Sequence, residues 1–181
     1  ISFSINELMA DLITISAHKI GGPMGVGALI ASPDLALRPT QAGGGQERGR
    51  RAGTENLPGI IGFGAAAEIV GDMTPAARLR DRAARRMLAI APDTHVHGAA
   101  SPRLPNTLCI SMPGVAAATQ VMALDLAGIM VSAGSACSSG KVKRSHVLDA
   151  MGVTPELADS AIRISLGWST GEADIDRLVE A

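Results

Sequence analysis

Tyrosine is absent from this 181-residue chain, and Phe3, Phe63 and Trp168 are its only aromatic residues. So sparse a set cannot build the base-stacking platform of a single-strand nucleic-acid binder or an aromatic membrane-interface belt. An excess of either charge is lacking too: 16 Lys and Arg stand against 17 Asp and Glu, for a formal net charge of -1. That balance excludes the basic surplus of a nucleic-acid-binding domain and the acidity of a solvating tail. No long hydrophobic run is present, because the longest, Leu57 to Gly71, is broken by Pro58 and Glu68 and is too short to cross a bilayer. The first residues have no basic flank leading into an apolar core, as a secretory signal would. Cysteine is scarce, with Cys109 and Cys137 alone. Without a signal they read as thiols in a reducing, cytoplasmic setting, and with His95, His97 and His146 scattered they make no zinc-ligand spacing. The chain also opens on Ile1 rather than Met and ends inside a helical pattern, the mark of a piece of something longer.

What is present suffices for a core. Hydrophobic residues make up 46% and charged residues 18%, which excludes disorder and fits one large domain or parts of two. Ser4 to Glu7 has capping-box spacing for a short helix to Ala10. Apolar runs at Asp11 to Ser16 and Val26 to Ala31 predict two strands around a glycine turn. Arg38 to Gly53 has no periodicity and reads as a long loop, of the kind that is usually functional. Thr54 is placed to cap a helix from about Glu55 to Val70, and Thr74-Pro75 starts another through Ile90. In the latter Leu79, Ala83, Met87 and Ile90 share a face, with Arg78, Arg82, Arg85 and Arg86 solvated elsewhere. The remainder predicts strand Thr107 to Met112, helix Ala116 to Ala127, strand Ile129 to Ser132, helix Ser145 to Met151, strand Ala161 to Leu166, and a last helix capped by Ser169 or Thr170. Such alternation is α/β, with an internal boundary near Asp72 to Thr74.

Four places could carry chemistry. Lys19, one of three lysines against 13 arginines, sits in Ser16-Ala17-His18-Lys19 at a strand end. It reads either as a solvated lysine or as a Schiff-base lysine, whose amine must be partly desolvated to attack at neutral pH. Cys137 lies in Ser132-Ala133-Gly134-Ser135-Ala136-Cys137-Ser138-Ser139-Gly140, small residues that predict a mobile, exposed loop, with Lys141, Lys143 and Arg144 following to favour a thiolate. Cys109, in the apolar run Thr107-Leu108-Cys109-Ile110, reads instead as a small buried hydrophobe. The loop Gly43 to Thr54 combines backbone donors, Arg48, Arg50, Arg51 and a helix start, all suited to an anion, yet it matches neither a nucleotide P-loop nor the dinucleotide glycine pattern. Strand alternation sends Arg163 away from the Ile162/Ile164 face, as a surface charge or a carboxylate clamp. An acyl-transfer pair of Cys137 and His146 is the weakest option, since no third orienting group is apparent.

The order Ser-Ala-His-Lys-Ile-Gly-Gly-Pro, then Gly-Gly-Gly-Gln-Glu-Arg-Gly-Arg-Arg-Ala-Gly-Thr-Glu-Asn, then Ser-Ala-Gly-Ser-Ala-Cys-Ser-Ser-Gly, then Ile-Arg-Ile-Ser-Leu-Gly resembles the NifS/IscS-type cysteine desulfurases, class V of the pyridoxal-phosphate aminotransferase-like enzymes. The resemblance implies the fold type I of pyridoxal-phosphate-dependent transferases. Ile1 to Met73 would be the C-terminal part of the large domain, and 74–181 the small α/β domain with the cysteine loop. It also implies a reaction in which L-cysteine yields L-alanine and a persulfide sulfur for iron-sulfur clusters and thio-cofactors. Lys19 would be the cofactor lysine and proton shuttle. Ser16 and His18 would hold the cofactor phosphate, and Thr54 would reach the phosphate in the neighbouring subunit of a homodimer. Arg163 would hold the substrate carboxylate. Cys137 would be the nucleophile that becomes a persulfide, hands sulfur to a scaffold protein or other acceptor, and can approach an iron-sulfur cluster there. The loop around Ser138-Ser139-Gly140 looks like the family's first group, rather than the second or the selenocysteine lyases. Family members run to about twice this length. The family's ring-stacking histidine, ring-nitrogen aspartate and phosphate loop have no match here, which keeps open a catalytically inactive module that only dimerises or binds a scaffold.

Overall fold

The computed structural model describes residues 7–134 and 145–181. The helix expected over Ser4 to Ala10 falls largely outside them, and residues 7–9 form a turn. The chain divides into two compact units, one reaching to Gly71 and the other running from Asp72 to Ala181.

In the first unit β1 (Leu12–Ser16) pairs antiparallel with β2 (Gly27–Ala31), Leu12 opposite Ala31 and Ser16 opposite Gly27. Glycine is required at 27, where an added Cβ would lie 2.5 Å from the Ile15 carbonyl oxygen. Both faces of the hairpin are apolar: Leu12 and Leu29 lie on one, Ile13, Ile15 and Ile30 on the other. Strands covered on both sides carry such a pattern, whereas a half-solvated hairpin alternates apolar with polar. A single-turn 3-10 helix, Ala17–Ile20, follows β1. After the long loop comes α1 (Leu57–Ile69), whose N-cap is Asn56 rather than Thr54; the Asn56 Oδ1 accepts from the Gly59 amide at 3.2 Å. Pro58 is the reason. A proline with no N–H is tolerated only in the first turn, so it pins the helix start and leaves Asn56 at the capping position.

The second unit is built on a four-stranded, fully antiparallel sheet in the order β3 (His95–Val96), β4 (Thr107–Ser111), β6 (Ala161–Ser165), β5 (Ser132–Ala133). One face packs on α2 (Thr74–Ile90), α3 (Ala117–Leu126) and α6 (Glu172–Glu180), through Leu108, Ile110, Ile162 and Ile164 against Ala83, Ala84, Ala117, Ile175 and Leu178. Against the other lie the short helices α4 (His146–Ala150) and α5 (Pro155–Asp159), with Leu148, Ala158 and Ala161 forming a smaller core. Four details differ from the sequence pattern. The β5 pairing falls at 132–133 while Ile129 and Val131 fill the core from the connection before it. β3 and α5 are too short to leave a period in the sequence. The last helix is capped at Gly171, whose amide donates to Asp174 at 2.9 Å, while Thr170 Oγ1 accepts from Gly167 instead. Ile90, at the frayed end of α2, is 68% exposed.

Two of the arginines expected to be solvated are not free. Arg82 and Arg86 both reach Asp176 of α6, the Arg82 contact being 2.9 Å, and Arg82 also lies 3.5 Å from Glu172. Hydrogen bonding from Arg82 and the two guanidinium charges hold the Asp176 carboxyl below the usual carboxylate range. The buried side of α2 thus selects the same neighbour that its charged side clamps.

Leu108 is 1% exposed at the centre of the core, so Leu108→Ala should cost about 2–5 kcal/mol in urea unfolding. The Asp176 contribution has a definite sign: a depressed folded-state pKa stabilises above the unfolded value of about 4 and is lost as pH falls through the folded value. Asp176→Asn should therefore lower the thermal midpoint at pH 7, with the gap to wild type closing as pH drops below about 4. A gap that persists in strong acid would contradict the clamp.

Candidate functional site

The first unit presents Ser16, His18 and Lys19 together at the end of β1, all three exposed. Between them Ala17 is fully buried. Its carbonyl accepts from the Gly22 amide at 2.9 Å, and its own amide donates to Val26 at 3.1 Å. Gly21 closes the turn in the left-handed conformation at φ 84°. A Cβ on Gly22 would lie 3.0 Å from the Ala17 Cβ and 3.2 Å from that of Ala66 on α1. Small residues therefore let the lysine turn lie flat on α1, and the backbone carrying the lysine is fixed while its side chain stays accessible. Ser16 precedes the 3-10 turn without capping it by its side chain, so its hydroxyl is not consumed there.

Thr54 is exposed, just ahead of Asn56. The loop before it holds two non-glycine residues in the left-handed region, Glu47 at φ 50° and Arg48 at φ 57°, a strain that a surface connector would ordinarily relax. Arg48, Arg50 and Arg51 are exposed on it.

In the second unit Arg163 points away from the main core, as alternation predicts: Ile162 and Ile164 are buried and Arg163 is exposed. It lines a cavity of about 340 Å³ between the sheet and α4–α5, together with His97, Cys109, Leu148, Met151 and Ala158. Cys109 is the surprise. It lies directly opposite Arg163 across β4 and β6, so it is half-buried on the cavity face rather than sunk in the main core; strand alternation gives that core to its neighbours Leu108 and Ile110. Burial pushes the Cys109 thiol up, opposed by the Arg163 charge. Cys137 lies outside the described residues; the ends of its segment, Gly134 and Ser145, both line this cavity.

His97 was not legible as a site residue. It extends the β3 register, its amide donating to the Cys109 carbonyl at 2.9 Å, and two residues of strand give too little alternation to read. Its Nε2 is 2.6 Å from Ser111 Oγ, which is also 2.6 Å from the Leu157 carbonyl oxygen. A hydroxyl has one proton and a carbonyl can only accept, so Ser111 donates to Leu157 and His97 Nε2 donates to Ser111. In the neutral ring Nδ1 then carries a free lone pair. Burial, with His95 adding to it, lowers the His97 pKa.

Residues 1–178 match the model of the aminotransferase class-V family. The chain belongs to that family. A cysteine desulfurase from Cereibacter sphaeroides is 48% identical over 172 residues, covering 94% of this chain and 44% of that relative. A solved NifS-like protein superposes with a TM-score of 0.84 at 36% identity, over 99% of this chain and 47% of its own. A structure described as SspA in complex with cysteine superposes at 0.67 with 28% identity, over 91% and 46%. The fold is thus that of the NifS-like proteins, α/β and of fold type I. The chain spans less than half the length of the curated relatives it matches. Among the described residues no helix is long and apolar enough to cross a membrane, and no group of three or more His, Cys, Asp or Glu is placed to hold a metal.

The His97 network fixes a testable sign. A histidine buried in its neutral form has a folded pKa below the unfolded value near 6.5, so its protonation destabilises the fold as pH falls through 6.5. Nuclear magnetic resonance should find His97 titrating below the ordinary imidazole range, with the proton on Nε2 at neutral pH. Ser111→Ala should cost about 1 kcal/mol, since it removes one hydrogen bond to the Leu157 carbonyl while Ser160 still donates to it. A midpoint at or above 6.5 would rule out a His97 held neutral by burial, and a proton on Nδ1 would rule out the Ser111 network.

Proposed function

We propose that this chain carries part of a pyridoxal-phosphate-dependent cysteine desulfurase, in which L-cysteine and the Cys137 thiol become L-alanine and a Cys137 persulfide. The carrying observation is the accessible Ser16, His18 and Lys19 on a backbone turn fixed by Ala17, Gly22 and Ala66, in a chain 48% identical to a cysteine desulfurase. That donor set fits a phosphate-bearing aldehyde: an amine for the carbonyl carbon, a hydroxyl and an imidazole for the phosphate. When bound, pyridoxal phosphate supplies the electron sink for cleavage at the substrate.

The roles follow from the side chains. Lys19 anchors the cofactor through Nζ and, once released, moves a proton at the substrate α-carbon. Ser16 and His18 hold the phosphate, joined by Thr54 from the second copy in a homodimer. Arg163 clamps the substrate carboxylate, a pairing its planar fork favours. The Cys137 thiolate attacks the substrate sulfur, then passes the sulfane sulfur to an iron-sulfur scaffold protein or another acceptor, where it can also meet the cluster's iron. In this reading residues up to Met73 belong to the large cofactor-binding domain, 74–181 form the small domain, and the protein works in the cytoplasm. Lys19 and Arg163 belong to different compact units, so their service to one substrate is part of the proposal.

A second reading is a dimerising or scaffold-binding module without catalysis. The β1–β2 hairpin favours it, since Leu29 and Ile30 remain 55% and 40% exposed, which leaves apolar surface for another polypeptide to cover.

Incubation with pyridoxal phosphate followed by borohydride should attach a reduced adduct to Lys19, detected by peptide mass spectrometry and lost in Lys19→Ala. Sulfide release from L-cysteine should fall by about 100-fold or more in Cys137→Ala. A chain that takes no adduct at Lys19 would leave the non-catalytic module as its function.

A further inference from the structure

The sheet face that carries Arg163 also carries a thiol that the reaction above does not use. His97, Cys109, Arg163 and Ser132 stand in one row across all four strands of the second unit. Cross-strand neighbours hold their Cβ atoms about 5 Å apart, so the Cys109 thiol has an imidazole on one flank and a guanidinium on the other. All three line the cavity of about 340 Å³. A liquid water molecule occupies about 30 Å³, so the space admits a molecule of amino-acid size. Its walls, Leu148, Met151 and Ala158 among them, would shelter a reactive sulfur from water.

We propose that Cys109 is a second sulfur-accepting thiol, loaded in this cavity by a small persulfide that bears a carboxylate, with Arg163 binding the carboxylate and His97 Nδ1 taking the thiol proton. It rests on the reading of Arg163 as a carboxylate clamp in a persulfide-making protein. The chemistry balances without an oxidant. Cys109 sulfur attacks the outer sulfur of R–S–SH, its S–S bond forms as the donor's S–S bond breaks, and the proton passes through His97 to the leaving R–S⁻. Cys109–S–SH and R–SH result. The Ser111–Leu157 chain commits the Nε2 proton and leaves Nδ1 free to accept. Burial keeps the thiol protonated at rest, which protects it from indiscriminate attack. The depressed His97 pKa keeps the base neutral.

The test uses the 181-residue chain with Cys137→Ala, whose only remaining thiol is Cys109. Cysteine persulfide is the first donor and sodium tetrasulfide, which has no carboxylate, the second; mass spectrometry follows the gain of one sulfur atom on the Cys109 peptide, with Cys109→Ser as the blank. Loading should be about tenfold faster from cysteine persulfide, a preference worth one charge-assisted contact. Arg163→Gln should erase that preference and Arg163→Lys should keep part of it. His97→Gln should slow loading from both donors by about tenfold or more. The proposal fails if the folded chain takes up no sulfur while the same peptide does so in urea, or if both donors load at the same rate whatever stands at 163. Neither donor needs pyridoxal phosphate or Cys137. If the chain with Cys137 intact is inert toward L-cysteine while its Cys137→Ala variant still loads Cys109 selectively, the desulfurase reading fails and Arg163 remains the carboxylate clamp of this one.

Discussion

The pairing of β4 with β6 is the constraint on which the second unit depends. Five residue pairs from Thr107 opposite Ser165 to Ser111 opposite Ala161 fix one register, and because side chains alternate, that register divides labour between two faces. Leu108, Ile110, Ile162 and Ile164 meet the large helices; Cys109, Ser111 and Arg163 meet the cavity side. A slip by one residue would send the isoleucines toward α4–α5 and bury a guanidinium in an apolar core, which costs far more than any single contact gains. The strong hydrophobic face thus positions the face that carries Cys109, Ser111 and Arg163.

In the first unit the comparable constraint is close approach rather than burial. Ala17, Gly22 and Ala66 allow backbone to lie on backbone where any larger side chain would intrude. A lysine on a mobile connector would lose orientation with every rotamer change. Fixed at the end of a strand and braced on α1, it keeps its Cα direction while the four-carbon stem alone moves. The left-handed Glu47 and Arg48 show that the neighbouring loop also accepts local strain to hold a particular course.

The two units hold their candidate residues by different means. The lysine turn of the first unit is fixed by close approach, while in the second unit Gly134 and Ser145 line the cavity that Cys109 and Arg163 share. Apolar walls around that cavity lower the local dielectric, and burial there pushes the Cys109 thiol up.

Much of the fold was legible because its signals are local. The strands at 12–16, 27–31, 107–111 and 161–165, and the helix from Thr74, follow from alternation, period and Pro or Gly punctuation, and the exposed placement of Arg163 follows from alternation alone. Caps were misread where proline overrode hydroxyl preference, at Asn56, and where an acidic side chain three residues on outcompeted Ser169 and Thr170, at Gly171. The arginines of α2 read as solvated because their partner Asp176 lies some ninety residues away. Composition and motif order determined the family and the chemistry that could be attempted, since those depend on which side chains exist and on neighbours in sequence. Only the tertiary structure placed Cys109 between Arg163 and His97, because a cross-strand row is a property of register between distant segments, and no local period records it.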